Sequence, residues 1–372
     1  MQANYKIAKF LDVLSILNDE GKRIPGIIMA MPGFGKTTTI EMFCEVKNYN
    51  LTTLIASQYT ADDLLGFQIR IEGSSKLTRA LPEWYTELIE KAKNGRKNIL
   101  FIDELSSSED YIQPPLLRLI FEGMFGEYSL PENTMVVAAG NYQDDLESSF
   151  KMLPPLINRF MILNINEEDV DVQELCTDKF DRVKGSDLET KAKFLGIFSK
   201  KKSTYNYDNI VAYLSSFLKV TNNYEIKNSK KSGLTGITTP RSISYSLQFL
   251  KAYLNTYSDD LWIPVISDTL GNYEGYDLKK GLISMRGKFV SSSGNNLSVE
   301  VMDIARKVAT GELPVTALKE YAKRTNELTV DDKYQLDRLA KKYPTNRELG
   351  SAINVLSCAW VTWEDVFGKS DT

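Results

Sequence analysis

The stretch AMPGFGKTT, Ala30 to Thr38, constrains this chain more than any other. It follows a short apolar run, Ile27-Ile28-Met29, and precedes an amphipathic segment. A Gly-rich turn between a strand and a helix, ending in Gly-Lys-Thr, has the chemistry to wrap a polyphosphate. Backbone N–H groups of Gly33, Phe34, Gly35 and Lys36 would point at phosphate oxygens, and the following helix would aim its positive N-terminal end at the same place. We assign the cradle to Pro32, Gly33, Phe34, Gly35, Lys36, Thr37 and Thr38. Lys36 supplies a point charge for the β and γ phosphates, and the Thr37 hydroxyl can ligate Mg²⁺. The motif asks for Gly five residues before Gly35, where this chain has Ala30. Ala keeps a small side chain but gives up free access to positive φ.

A second signal is ILFIDE, Ile99 to Glu104, about 70 residues after the turn. Four apolar residues of strand length are what a strand covered on both faces requires. At its C-terminal end Asp103 can hold Mg²⁺, and Glu104 can orient and polarise an attacking water. Hydrolysis of a nucleoside triphosphate needs that pair, because little covalent chemistry is left to the protein. The third signal is VVAAGN, whose Asn141 could bond a γ-phosphate or the water; a turn-forming Gly-Asn would look the same. Arg159 in LPPLINRF and Arg241 in GITTPRSI are placed to meet a phosphate or a carboxylate bidentately, or to form structural ion pairs.

The strand signals are about Ile24 to Ala30, Leu51 to Ala56, Asn98 to Ile102, Thr134 to Ala139 and Phe160 to Ile165, with helical periods between them. Strands alternating with helices imply a parallel sheet covered on both faces. An amphipathic helix opens the chain at 4–18. After about residue 166 strand signals fade and helical periods follow at 208–220 and 241–254. From about 265 the segments GNYEGYDLKKG and VSSSGNN read as loops, with helices expected at 297–310, 313–326, 330–342 and 345–357. The expected division is 1–166, a large α/β nucleotide-binding domain; 167–262, a helical lid; and 263–372, a mostly helical region whose role the sequence does not state.

Composition removes several classes of chemistry. There is no His, so Ser-His-Asp catalysis and His-ligated metal sites are impossible. The three cysteines, Cys44, Cys176 and Cys358, are far apart, which fits a reducing compartment; Cys44 lies on an apolar helix face with a packing role. A net charge of −4 argues against a dedicated nucleic-acid binder. Basic clusters at Lys200-Lys201-Lys202 and around Lys227, Lys230 and Lys231 read as solvated loops. No segment is apolar enough to span a membrane, and the expected location is the cytoplasm.

In order, the phosphate loop, ILFIDE, AAGN, NRF and TPR resemble an AAA+ ATPase, most nearly the MoxR-like, dynein-related branch. DLLG at Asp63–Gly66, Gln113 followed by LLRLIFEG, and Leu130-Pro131 add to the likeness, which covers about residues 20 to 255. Leu105-Ser106-Ser107 departs from the Ile-Asn-Arg that relatives often show there.

The resemblance implies a five-stranded P-loop sheet, ATP and Mg²⁺ as ligands, and a homo-oligomeric, usually hexameric ring with ATP between subunits. Thr37 and Asp103 would serve the metal and Glu104 would be the catalytic base. Asn141 would be the sensor at the end of its strand, Arg159 the finger reaching the next subunit's nucleotide, and Arg241 the lid sensor. Insertions near 66–82 and 122–131 would face the ring pore. The leading function is an ATP-driven remodeller or assembly chaperone for a protein partner; relatives often work with von Willebrand factor A-type partners. A nucleic-acid-linked ATPase is the alternative, kept open by Arg70, Lys76 and Arg79. A kinase would not need Glu104, Asn141 and two arginines placed this way, and a binding-only switch would not need the acid pair.

Overall fold

The computed structural model describes residues 3–71, 77–142, 152–170, 179–197, 200–220, 234, 236–271, 277–289, 297–322, 336, 339–341, 343 and 346–357. Cys176, Cys358, Lys76, Lys227, Lys230, Lys231 and much of the expected helices 313–326 and 330–342 lie outside them.

Five strands form one parallel sheet: β1 Gly26–Ala30, β2 Asn50–Ile55, β5 Asn98–Asp103, β8 Thr134–Gly140 and β9 Met161–Ile165. Their spatial order is β2-β5-β8-β1-β9, and every neighbouring pair is parallel, as the alternation of strands and helices implies. Every residue of β1, β8 and β9 is buried, which explains their unbroken apolar runs. The pleat sends alternate side chains to opposite faces. Ile27, Met29, Leu100, Ile102, Val136, Ala138 and Ile162 belong to one core cluster. It includes Leu64 of α3 (Ala61–Leu65), Trp84 and Leu88 of α4 (Glu83–Ala92), and Leu116 and Leu119 of α5 (Gln113–Glu122). The other face is covered by α1 (Ala3–Asp19) and α2 (Lys36–Lys47). There α1 packs so closely that a Cβ on Gly26 would fall 2.4 Å from Leu14 Cδ1.

An amide ladder marks the N-terminal edge of the sheet. Asn50 and Asn98 stand opposite each other in register, with Thr134 next to Asn98. Asn50 Nδ2 donates to Asn98 Oδ1 at 2.8 Å, and Asn98 Nδ2 donates to Asn133 Oδ1 at 2.9 Å. Buried amides satisfied by one another in this way fix the strand register at little cost.

Two short hairpins leave the sheet: β3–β4 (Gln68–Arg70 with Leu77–Arg79) and β6–β7 (Met124–Phe125 with Tyr128–Ser129). They occupy the two expected insertions. Beyond β9, the helix Trp262–Leu270 packs on the sheet's edge strand, with Thr269 Oγ1 accepting the Ile162 N–H at 2.9 Å. That helix was not among those expected, and another at Leu278–Phe289 begins inside GNYEGYDLKKG, which was expected to be a loop. The second carries Gly281 and Gly287, each of which costs about 1 kcal/mol against Ala in a helix. Lys200 is exposed, and its ammonium lies 2.9 Å from the buried Asp12 carboxylate.

By compactness the chain divides into Met1–Ser203 with Tyr224–Leu282, and Thr204–Asn223 with Ile283–Thr372. The second unit has its own apolar cluster, in which Val301, Ala305, Leu318, Leu349 and Leu356 are buried.

Candidate nucleotide site

The phosphate turn leaves the C-terminal end of β1, and α2 begins at Lys36. Gly33 and Gly35 take φ of 82° and 70°, the left-handed region that the turn demands. Ala30 needs no such freedom. It is the last residue of β1, fully buried and extended, so its Cβ is tolerated where the motif usually has Gly.

The turn's neighbours are set by register. Ile55 is opposite Asp103 and Met29 is opposite Gly140, so Ala30, Asp103 and Asn141 emerge along one edge of the sheet. Ligands of open α/β sheets bind at this carboxyl edge. Lys36 Nζ donates to Asn141 Oδ1 at 2.8 Å and to the Ala30 carbonyl at 2.9 Å. Burial lowers the Lys36 pKa to about 8, against the opposing pull of Asp103. Thr37 Oγ1 donates to Asp103 Oδ2 at 2.8 Å. A hydroxyl beside a carboxylate is an oxygen-only donor pair. That suits Mg²⁺, which uses one or two protein oxygens and takes the rest from phosphates and water. Among the described residues no cluster of three or more His, Cys, Asp or Glu could hold a metal by itself.

Glu104 is the strained member of the set. Its φ of 56° is left-handed, and among the described non-Gly residues only Asn48 shares that conformation. Such a conformation costs on the order of 1–3 kcal/mol and gathers at functional sites. The turn sends the chain into a 3₁₀ segment, Leu105–Ser107, and leaves the Glu104 carboxylate exposed. Its partner is the Ser57 hydroxyl, just beyond β2. Sequence reasoning missed Ser57; the polar ASQ after an apolar strand was its only trace.

The two arginines lie elsewhere. In the parallel pair β1–β9, Gly26 is opposite Met161 and Ala30 opposite Ile165. Arg159 therefore precedes the N-terminal edge, with roughly 13 Å of strand between it and the phosphate turn at about 3.3 Å per residue. Its guanidinium sits 4.5 Å from the Phe121 ring centroid. Arg241 is at the same edge: Thr239, the N-cap of helix Pro240–Thr256, donates to Asn158 Oδ1 at 2.8 Å. Burial pushes the Tyr245 phenol up, and both Arg241 and Arg159 pull it back down, so the two charges converge on one side chain. The resemblance made Arg241 the lid sensor; here Arg241 and Arg159 both act on Tyr245.

Comparison with known proteins adds the family. Residues 27–160 match the profile of the AAA domain, dynein-related subfamily. This stretch is an AAA domain. No curated protein matches the chain in sequence. Among solved structures, one from Cytophaga hutchinsonii, described as a conjectured ATPase, is 14% identical. It covers 77% of this chain and 95% of its own, with a TM-score of 0.43. The matched stretch contains Lys36, Asp103 and Asn141. Cys44, at the foot of α2, is core as expected. It is buried, and its thiol is pushed up to about 12 by that burial and by Glu45 and Glu41. Among the described residues no helix is long and apolar enough to cross a membrane.

Proposed function

We propose that this chain hydrolyses ATP with Mg²⁺ in a site shared between copies of itself, arranged as a ring, and uses the energy to remodel or assemble a protein partner. The observation that carries this reading is the separation just described. Lys36, Thr37, Asp103, Glu104 and Asn141 lie at or beside the carboxyl edge of the sheet, while Arg159 and Arg241 converge at the amino edge. A transferring γ-phosphoryl group spreads charge over its oxygens and wants more cations than Lys36 alone. A neighbouring copy would bring its arginine pair to this copy's phosphates.

The roles then follow from the side chains. The backbone of Pro32–Gly35 and the α2 N-terminus cradle the phosphates, with Lys36, Thr37 and Thr38 at the helix start. Thr37 and Asp103 would hold Mg²⁺, which would supply charge neutralisation at the phosphate oxygens. Glu104 leaves Ser57 and accepts a hydrogen bond from the attacking water. Asn141 fixes the water or the γ-phosphate while steadying Lys36. In domain terms, 1–166 binds nucleotide, 167–262 is a lid that carries Arg241, and 263–372 is a further helical region.

A protein client is favoured by the first hairpin. Phe67, Ile69, Ile71, Leu77 and Leu81 on and around it are all exposed. Clustered exposed apolar side chains mark protein-interaction surfaces. Arg79, which kept a nucleic-acid role open, spends its guanidinium on the Gly66 carbonyl at 2.8 Å.

Turnover per subunit measured across a dilution series tests the shared site. Activity should collapse as the oligomer dissociates, since a finger supplied in trans is worth about 10³–10⁵ in rate in other NTPases. Constant activity down to a demonstrated monomer would refute it. Stimulation by DNA or RNA that weakens as salt rises would favour the nucleic-acid alternative over a protein client.

A further inference from the structure

Between the strand that carries the acid pair and the strand that precedes Asn141 lies one side chain that no sequence motif marks. Ser106 is the middle residue of the 3₁₀ turn that follows Glu104. It is 1% exposed. Its Oγ accepts the backbone N–H of Asn141 at 2.8 Å. The same Asn141 turns its Oδ1 to Lys36 Nζ at 2.8 Å.

Packing around this bond is tight. A Cβ on Gly140 would fall 3.0 Å from Ser106 Oγ and 2.9 Å from Met29 Sδ, so the end of β8 is pressed against the turn with no room for a larger residue. The turn itself is closed by the Ser107 N–H to the Glu104 carbonyl at 2.9 Å and by Ser108 Oγ to the Leu105 carbonyl at 2.7 Å. The left-handed Glu104 aims the turn back toward β8.

We infer that Ser106 is a positioning residue for Asn141: its hydroxyl holds the Asn141 backbone so that the amide side chain stays against Lys36. The inference rests on the hydrolytic reading above. A buried N–H deprived of its acceptor either goes unsatisfied or moves to find another partner. Either outcome displaces Asn141 by a fraction of an ångström or more. Catalysis is sensitive to displacements of that size, whereas phosphate binding by the backbone cradle is not. Because the same turn begins at Glu104, movement of the acid is transmitted to Asn141 through this bond. Leu105-Ser106-Ser107, which departs from the residues relatives show, supplies a buried hydroxyl at this contact.

The test uses the full-length oligomer. Ser106→Ala removes the acceptor; Ser106→Cys fills the same space with a sulfur that accepts poorly and leaves no cavity. Both should lower kcat on the order of tenfold while ADP affinity stays within about threefold. Hydrogen–deuterium exchange of the peptide spanning 138–142, in protein free of nucleotide, should rise in both variants. In an Asn141→Ala background, Ser106→Ala should add no more than about a twofold loss, because two residues acting through one position do not add. Unchanged kcat in both variants, or a full additive loss on top of Asn141→Ala, overturns the inference. If wild-type protein releases no phosphate, hydrolysis itself is refuted. The exchange readout then still decides the Ser106–Asn141 bond, and unchanged exchange contradicts it.

Discussion

At the scale of single residues, the site combines one acid held in a strained turn with one lysine held below its ordinary range. Glu104 is restrained by Ser57, so Ser57→Ala should free it. Basal turnover is expected to rise, by up to roughly tenfold if one exposed charge-assisted hydrogen bond sets the restraint. A fall in turnover would mean that Ser57 supports the active geometry instead. Glu104→Gln should keep nucleotide binding and lose turnover by about 10²-fold or more, the usual share of a general base; full hydrolysis would remove Glu104 from that role. Lys36 gives a dependence on pH. Its folded-state pKa, about 8, lies below the ordinary 10.5. Below pH 8 the ammonium is charged in folded and unfolded chains alike and its burial cost is fully present. Between about pH 8 and 10.5 only the unfolded chain keeps the proton, so this group's contribution to stability improves as pH rises. Nucleotide binding runs the other way, because phosphates need the charged form. Affinity for ATP should weaken above pH 8, by at most about tenfold per unit. Fluorescent-nucleotide titrations from pH 7 to 9.5 would show it, and a flat profile would contradict the assignment.

At the scale of elements, the sheet was legible and its supports were not. Gly-rich turn, acid pair and Gly-Asn each follow an unbroken apolar run, and buried parallel strands leave that pattern in any sequence. Four of the five expected strand starts fall within one residue of the observed ones; β1 alone begins later, at Gly26, because Pro25 has no N–H to give a ladder. The amide ladder of Asn50, Asn98 and Asn133 left no such mark, since asparagine before a strand also reads as a turn. It makes a measurable claim. Asn98 is 1% exposed and bonded on both sides, so Asn98→Ala should destabilise the domain by about 1–3 kcal/mol in chemical denaturation. A change under about 0.5 kcal/mol would mean the ladder does not hold the register. The helices Trp262–Leu270 and Leu278–Phe289 escaped sequence reading for a related reason: one is short and apolar, the other polar and interrupted by glycines.

At the scale of the whole molecule, the position of Arg241 changes the account most. From its motif alone Arg241 could meet a phosphate or a carboxylate, or form a structural ion pair. The Asn164 side chain bonds the Leu234 backbone on both sides, and Thr239 bonds Asn158, which puts Arg241 at the opposite edge of the sheet near Arg159. No periodicity in the sequence encodes that path, because it depends on side-chain bonds between segments about 70 residues apart. A copy of this chain therefore has its phosphate cradle at one end of the sheet and its arginine pair at the other, which is what a head-to-tail ring requires. The most direct measurement mixes two crippled chains. Lys36→Ala loses its own nucleotide but keeps its arginines; an Arg159→Ala, Arg241→Ala double variant keeps its nucleotide but offers no arginines. Each alone should be inactive. Mixed under conditions that exchange subunits, they should regain part of the wild-type ATPase rate, since some interfaces pair an intact cradle with an intact arginine pair. No recovery, with subunit exchange demonstrated, would contradict the shared site.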